Sequence, residues 1–160
     1  MEVEVQQIQK QIRPPLLDIF GVIETIKWYA EEFDTLYTSI DVSLDLDADE
    51  TEIPDGLKIT IFRVIQEALN NVAKHSKGSR ATISLNRQQN KIELIIQDNG
   101  EGFSLEEYFS NTHLKQGIGL VSMRERVEQT GGEFYFSSKI GEGTTIRGVW
   151  QVDAEQDESG

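Results

Sequence analysis

Phe62-Arg63-Val64-Ile65-Gln66-Glu67-Ala68-Leu69-Asn70-Asn71-Val72-Ala73-Lys74-His75 is the stretch whose reading decides the fold. It closes the best helical segment of the chain, predicted from Leu57 to His75. On a helical wheel Leu57, Ile61, Val64, Ile65, Ala68, Leu69 and Val72 fill one broad apolar arc. Arg63, Glu67, Asn70, Asn71 and Lys74 gather on the opposite side. Glu67 and Asn71 are four apart and Lys74 three further, so all three project from neighbouring turns. Asparagine offers a hard carbonyl oxygen suited to Mg²⁺, which takes few protein ligands when phosphates and waters supply the rest. Lysine supplies a point charge for phosphate, and a carboxylate beside them can orient a group or accept a proton. A solvated helix face has the same composition, so this face alone fixes no function.

Outward from that helix, Leu16, Ile19, Phe20, Ile23, Ile26, Ala30 and Phe33 recur at helical spacing after Pro14-Pro15 interrupts a short first segment containing Ile8 and Ile12. Thr38 to Leu46 alternates Ile40, Val42, Leu44 and Leu46, the period of a half-buried strand. Downstream, Gly78 ends the central helix, and strands follow at Ala81–Asn86 and Lys91–Gln97. A polar stretch, 104–116, precedes a helix from about Leu120 to Thr130, and strands near 133–138 and 144–152 close the domain. Residues 153–160 are acidic and small, a tail expected to be disordered.

Three further segments carry chemistry. Asp98-Asn99-Gly100-Glu101-Gly102 follows the apolar strand, where Asp98 can accept from an exocyclic amine such as that of adenine. Glycines beside it let the backbone approach a flat ring closely; a plain Asp-Asn-Gly turn reads the same way. Gly117-Ile118-Gly119-Leu120 opens the next helix, where unpaired backbone donors favour a phosphate; a loop joining a helix would look alike. Gly141-Glu142-Gly143-Thr144-Thr145 reads by itself as a hairpin turn. The phosphate-loop pattern of a glycine, four residues and Gly-Lys-Ser/Thr is absent. A dinucleotide fingerprint fails because Ser122 stands where its third glycine belongs.

The 160 residues fit one domain, and the formal charge, 15 − 28 = −13, argues against nucleic acid as a partner. Phosphates bound by so acidic a chain need local neutralisation by a metal and a few placed cations. There are no cysteines, which excludes disulfides and thiolate metal sites. No apolar run approaches the roughly 20 residues of a membrane span, and MEVEVQQIQKQ does not resemble a signal peptide. The expectation is a cytoplasmic domain whose parent protein is free to carry a membrane anchor.

Taken in order, the four segments resemble the asparagine box and successive glycine boxes of the histidine kinase and heat-shock chaperone ATPase superfamily. The 62–75 string is similar to the box of one sensor-kinase subgroup, in which it begins with glutamate. That subgroup serves helix–turn–helix response regulators of the nitrate and cell-envelope type. Gly117-Ile118-Gly119-Leu120-Val121-Ser122-Met123-Arg124-Glu125-Arg126 and Ile12-Arg13-Pro14-Pro15-Leu16-Leu17-Asp18 carry the same resemblance, which spans nearly the whole chain.

The resemblance implies a Bergerat-type α/β two-layer sandwich: a mixed, mostly antiparallel sheet covered on one face by helices. Residues 1–15 would be the remnant of a phosphoacceptor and dimerisation helix, 16–152 the ATP-binding domain, and 153–160 the tail. It further implies ATP and Mg²⁺ as cofactors, with Asn71 ligating the metal and Glu67 as base or orienting group. Lys74 and Lys115 would touch phosphate and His75 the ribose or adenine, although His75 projects toward the apolar arc and packing accounts for it equally well. Asp98 would read the adenine amine, with Gly100 and Gly102 shaping the base pocket. Thr144 would support Asp98 through its hydroxyl or a water, and Gly117, Ile118, Gly119 and Leu120 would line the phosphates. Residues 104–116 would form a mobile lid in which His113 is a solvated loop residue.

The subgroup's phosphoacceptor histidine lies well upstream of the Arg-Pro segment, and neither His75 nor His113 stands there. The chain is therefore expected to bind ATP without phosphorylating itself, as a monomeric piece of a homodimeric parent. Its expected partners are that parent's phosphoacceptor dimerisation domain and a downstream response regulator. Two alternatives are an anti-sigma-type serine kinase of the same superfamily and a nucleotide-gated domain of the chaperone or mismatch-repair type. The glutamate-led box and the Arg-Pro junction favour the histidine kinase, and the few residues after the site disfavour the chaperone type.

Overall fold

The alternating strands and the striped helices bury their apolar sides against each other across a single interface. The computed structural model describes residues 14–102 and 114–152, with the side chains of all of these except 14–15, 75–76 and 114–118. Residues 1–13, the stretch 103–113 with His113, and the tail from 153 lie outside the described residues.

Helix α1 (Pro14–Leu36) leads into strand β1 (Asp41–Asp47), and a 3-10 turn (Glu50–Glu52) precedes helix α2 (Asp55–Asn71). A π turn (Val72–Ser76) prolongs α2 before strands β2 (Arg80–Gln88) and β3 (Lys91–Asp98). Helix α3 (Leu114–Gln129) and strands β4 (Gly132–Lys139) and β5 (Gly143–Gln151) complete the order. The sheet runs β1-β2-β3-β5-β4, with β1 and β2 parallel and every other pair antiparallel. This is the mixed two-layer α/β sandwich expected from the sequence.

Cross-strand register shows which side chains share a face. Ile83, Ile96, Ile146 and Phe136 stand opposite one another along successive strands, as do Leu85 and Leu94. The first three of these, with Leu85 and Leu94, are buried in one core with Val22 and Ile26 of α1, Ile61, Phe62, Ile65 and Leu69 of α2, and Met123 and Val127 of α3. Directly opposed residues point the same way, so Asp98, paired with Ala81 on one side and Thr144 on the other, also turns toward the helical layer. The other face carries Arg147, whose Nε lies 2.5 Å from Glu93 Oε2 and whose guanidinium sits 5.0 Å from the Tyr135 ring centre.

The structure departs from the sequence reading most clearly at three places. The α1 stripe is not continuous, because Gly21 takes φ 84° and ψ 171° and breaks the helix. Strand β1 begins at Asp41, since residues 38–39 form a turn closed by the Ile40 N–H donating to Tyr37 O at 3.0 Å. Helix α3 begins at Leu114, so residues 114–116, expected in a loop, form its first turn. Leucine, lysine and glutamine are good helix formers, but two glycines cost about 1 kcal/mol each, so the helix is held by the core packing of Leu120, Met123 and Val127 further along it. No helix among the described residues is long and apolar enough to cross a membrane.

Candidate functional site

The polar side of α2 meets the first turns of α3. Glu67 and Asn71 are half-buried there, and a methyl group on Gly119 would come 2.7 Å from Glu67 Oε1 and 3.7 Å from Asn71 Nδ2 and Oδ1. Gly119 is thus the clearance that lets α3 cross over the two polar residues. Leu120, next along, is buried in the core and pins the crossing. Because α3 starts early, Gly117–Leu120 lies inside the helix and not at its mouth, contrary to expectation. The backbone of Lys115, Gly117 and Ile118 belongs to that helix, and their side-chain environment lies outside the described residues.

Lys74 stands exposed in the π turn, one residue before His75, whose backbone is in the same turn and whose side chain is not among those described. The turn ends in Lys77, which adopts the left-handed conformation at φ 54°. That reversal drives Gly78 against the tip of β3, where an added Cβ would strike Asn99 Oδ1 at 2.6 Å and the Gly100 nitrogen at 2.7 Å. Asn99 fastens the junction, accepting from the Ser79 and Arg80 N–H groups at 2.9 Å each and donating from Nδ2 to Ser79 Oγ. The connection that leaves α2 for β2 and the end of β3 are therefore stitched together on one edge of the molecule.

At that edge Asp98 is half-buried, and its Oδ1 accepts the Gly100 N–H at 2.8 Å. Burial raises its carboxyl pKa from the ordinary aspartate value, against the lowering effect of N–H donors from Gly100 and Thr144. The Thr144 hydroxyl, expected to support Asp98 directly or through water, instead shares a 2.9 Å hydrogen bond with Ser138 Oγ, and the backbone of Thr144 does the supporting. Two glycine segments far apart in sequence close against the backbone at this strand end. An added Cβ on Gly102 would meet Lys139 O at 2.0 Å, and one on Gly143 would meet Asp98 O at 2.1 Å. Both glycines hold positive φ, 66° and 82°, so the backbone and not the clearance alone demands them. The Gly141 N–H donates to Glu101 O at 2.5 Å and completes the seam.

The structural roles of three polar residues, Asn99, Gln66 and Asn70, were not legible in the sequence. Asn99 passes for an ordinary turn residue; the turn signal was legible, but its long-range partners were not. Gln66 is buried and accepts from Arg63 Nη1 at 2.8 Å, though its wheel position borders the apolar arc. Asn70 Oδ1 is buried with no hydrogen-bond partner.

The arrangement suits a nucleotide. A partly desolvated carboxylate is a strong acceptor for an amine, and the glycine backbone beside it can lie flat against a ring. Among the described residues no group of three or more histidines, aspartates or glutamates could hold a metal alone. A single amide oxygen such as that of Asn71 fits Mg²⁺, which draws most of its ligands from phosphate and water.

A family model described as histidine kinase-, DNA gyrase B-, and HSP90-like ATPase matches residues 56–154. The chain is 36% identical over 144 residues, 89% of its length, to the signal transduction histidine-protein kinase/phosphatase DegS of Brevibacillus brevis, of which that match covers 36%. It is 31% identical over its full length to the sensor protein VraS of Staphylococcus epidermidis, covering 46% of that protein. Among solved structures, the Acinetobacter baumannii histidine kinase AdeS superposes with a TM-score of 0.63 at 19% identity, over 82% of this chain and 64% of that one, a likeness of fold. The chain thus spans less than half the length of these curated relatives. With the matched segment running from the start of α2 to the end of β5 and enclosing Glu67, Asn71, Asp98, Gly119 and Thr144, the chain belongs to the histidine kinase-, DNA gyrase B- and HSP90-like ATPase family.

Proposed function

We propose that this chain is the ATP-binding catalytic domain of a sensor histidine kinase, presenting the γ-phosphoryl group of Mg·ATP to a histidine on the parent's dimerisation domain. One observation carries the reading: Glu67 and Asn71 of α2 meet Gly119 of α3, while the segment that follows α2, Gly78 to Arg80, packs on and bonds to the strand tip that bears Asp98. In this reading Asp98 accepts the adenine amine, and Gly100 and Gly102 keep the ring face clear. Asn71 offers its amide oxygen to Mg²⁺, and the metal when bound neutralises charge on the phosphates. Gly117, Ile118 and Gly119 pass beside those phosphates while Leu120, in the core, anchors that stretch; Lys74 and Lys115 approach them from the turn and the helix start, and His75 approaches the ribose. Glu67 orients the attacking imidazole or takes its proton, which is positioning chemistry of the kind that dominates phosphoryl transfer. The parent acts as a homodimer with a response regulator downstream, in the cytoplasm or at the cytoplasmic side of a membrane anchor.

Calorimetric titration of the chain with Mg·ATP tests the pocket. Binding in the micromolar-to-millimolar range is expected, with Asn71→Asp and Asp98→Asn each weakening it at least tenfold. Unchanged affinity in both variants refutes the assignment. Activity is tested by supplying the parent's phosphoacceptor hairpin with labelled ATP. Label on histidine is expected, and label on serine would favour the anti-sigma type of kinase.

A further inference from the structure

Helix α1 contains a built break that neither nucleotide nor phosphoacceptor chemistry calls for. At Gly21 the chain leaves the helical conformation, and the N–H groups of Val22 and Ile23 point to Glu50, donating to Oε2 at 2.9 Å and to Oε1 at 3.0 Å. In an unbroken helix those two donors would serve the carbonyls of Asp18 and Ile19. A carboxylate from the 3-10 turn has taken the place of two helical acceptors. It caps the second half of α1 as a side chain caps any helix start.

The arrangement requires glycine twice over. Its φ of 84° is one that other residues seldom adopt, and a Cβ at position 21 would fall 2.4 Å from the Glu50 carboxyl carbon. The freed Gly21 carbonyl accepts from the buried Thr25 hydroxyl at 2.7 Å. Glu50 is in turn gripped by Lys58, whose Nζ lies 2.9 Å from Oε2 and 3.0 Å from Asp55 Oδ1. Asp55 and Lys58 form the first turn of α2, the helix that bears Glu67 and Asn71. Burial acts to raise the Glu50 pKa, but the Ile23 and Val22 N–H groups and Lys58 outweigh it and hold the carboxylate below its ordinary value.

The sequence also encodes the alternative. Leu16, Ile19, Ile23, Ile26, Ala30 and Phe33 follow one another at alternating steps of three and four, the spacing of one seam on a continuous helix. With the break in place that seam is cut. Ile26, Ala30 and Phe33 are buried, whereas Ile19 is 71% and Phe20 60% exposed, and Leu17 has turned inward at 8%. The break has rotated the first segment out of phase with the second.

We propose that Glu50 is a positioning residue that latches a hinge at Gly21 and thereby fixes the direction in which residues 14–20 leave the domain. Released, α1 is a continuous helix with Ile19 on the Ile23–Ile26 seam. The hinge stands independently of the nucleotide assignment. Its consequence for phosphoryl transfer rests on that assignment: a phosphoacceptor helix arriving through residues 14–20 would approach the site at an angle set from the first turn of α2.

Because the chain has no cysteine, one pair can be introduced for spin labels at Asp18 and Lys91, both exposed, and a control pair at Asp45 and Lys91. In the full 160-residue chain the Asp18–Lys91 pair should give one narrow distance distribution. Glu50→Ala should move most of that population, Gly21→Ala should do the same by occupying the carboxylate's place, and Glu50→Gln, which keeps an acceptor oxygen, should move less than Glu50→Ala. The control pair and Mg·ATP affinity should stay unchanged in all three. An Asp18–Lys91 distribution unaltered in both Glu50→Ala and Gly21→Ala overturns the hinge, and so does equal broadening of both pairs, which would make Glu50 a general structural residue. Loss of ATP binding in the unsubstituted chain would count against the nucleotide assignment alone.

Discussion

Asp98 works against the stability of its own domain. Its carboxyl is desolvated and its folded pKa raised, so its contribution to stability is fully present below its unfolded value of about 3.9. That contribution is lost as pH rises through the folded value, and at neutral pH the ionised group is a cost. Asp98→Asn should therefore unfold in urea at the same midpoint or a higher one, while adenine nucleotide binding collapses because an amide donor would confront the adenine amine. A protonated Asp98 cannot serve an amine fully, so affinity should decline on acidification while pH is still above the ordinary carboxylate range. Titrations from neutral pH downward read this directly, and a pH-independent affinity would disconnect Asp98 from the base. Gly119 separates fold from function in another way. Alanine favours a helix over glycine by about 1 kcal/mol, and the obstacle to its Cβ is the mobile end of Glu67. Gly119→Ala should keep or raise the melting temperature and slow phosphoryl transfer to a supplied histidine by roughly ten- to a hundredfold, the cost of a misplaced group.

At the scale of elements, legibility followed how local the signal was. The α2 arc was readable because its seven apolar positions all face one core, and five of them, Ile61, Val64, Ile65, Ala68 and Leu69, are essentially inaccessible. The α1 break was not readable, since Leu16 to Phe33 keeps a helical rhythm and the residue that interrupts it, Glu50, lies 27 and 28 positions from the donors it holds. The π turn was equally hidden, because apolar spacing does not report one extra residue in a helical turn. Of the candidate site, the residue types and their spacing were visible, but not the seam between Gly102 and Lys139 or that between Asp98 and Gly143, which depends on strands paired across the sheet. The join of α3 to β5 offers a test of such non-local fastening. Trp150 is buried at 1% and donates from Nε1 to Thr130 Oγ1 at 2.9 Å, in a space left by Gly132 and Gly148. Thr130→Val keeps the shape and strands the indole N–H, so it should cost about 1–3 kcal/mol in urea unfolding. A loss below roughly 0.5 kcal/mol would mean the indole finds another partner.

For the whole molecule, the sheet order and the formal charge of −13 bear on the nucleotide together. Strand order β1-β2-β3-β5-β4 puts the last strand beside the third, so the final glycine segment lies against the strand tip although 40-odd residues separate them. Alternation within each strand says which side is buried, but no local pattern chooses its neighbours, and this is why the layers were legible and the order was not. The site so assembled sits in the field of an acidic body. Charges separated by 20–30 Å act on one another at an ionic strength of 0.01 M, where the Debye length is about 30 Å, and hardly at all at 0.1 M, where it is about 10 Å. Free ATP, a polyanion, is repelled at long range, and on the proposed assignment only local groups such as Lys74 attract it. Raising NaCl from about 0.01 to 0.1 M should therefore tighten the binding of metal-free ATP, opposite to the trend at a basic nucleotide site. Mg·ATP carries less charge and should respond less. Titrations at the two salt concentrations, with and without Mg²⁺, measure both slopes. If metal-free ATP weakens with salt, the placed cations outweigh the body charge, and double substitution of Lys74 and Lys115 should then reverse the sign.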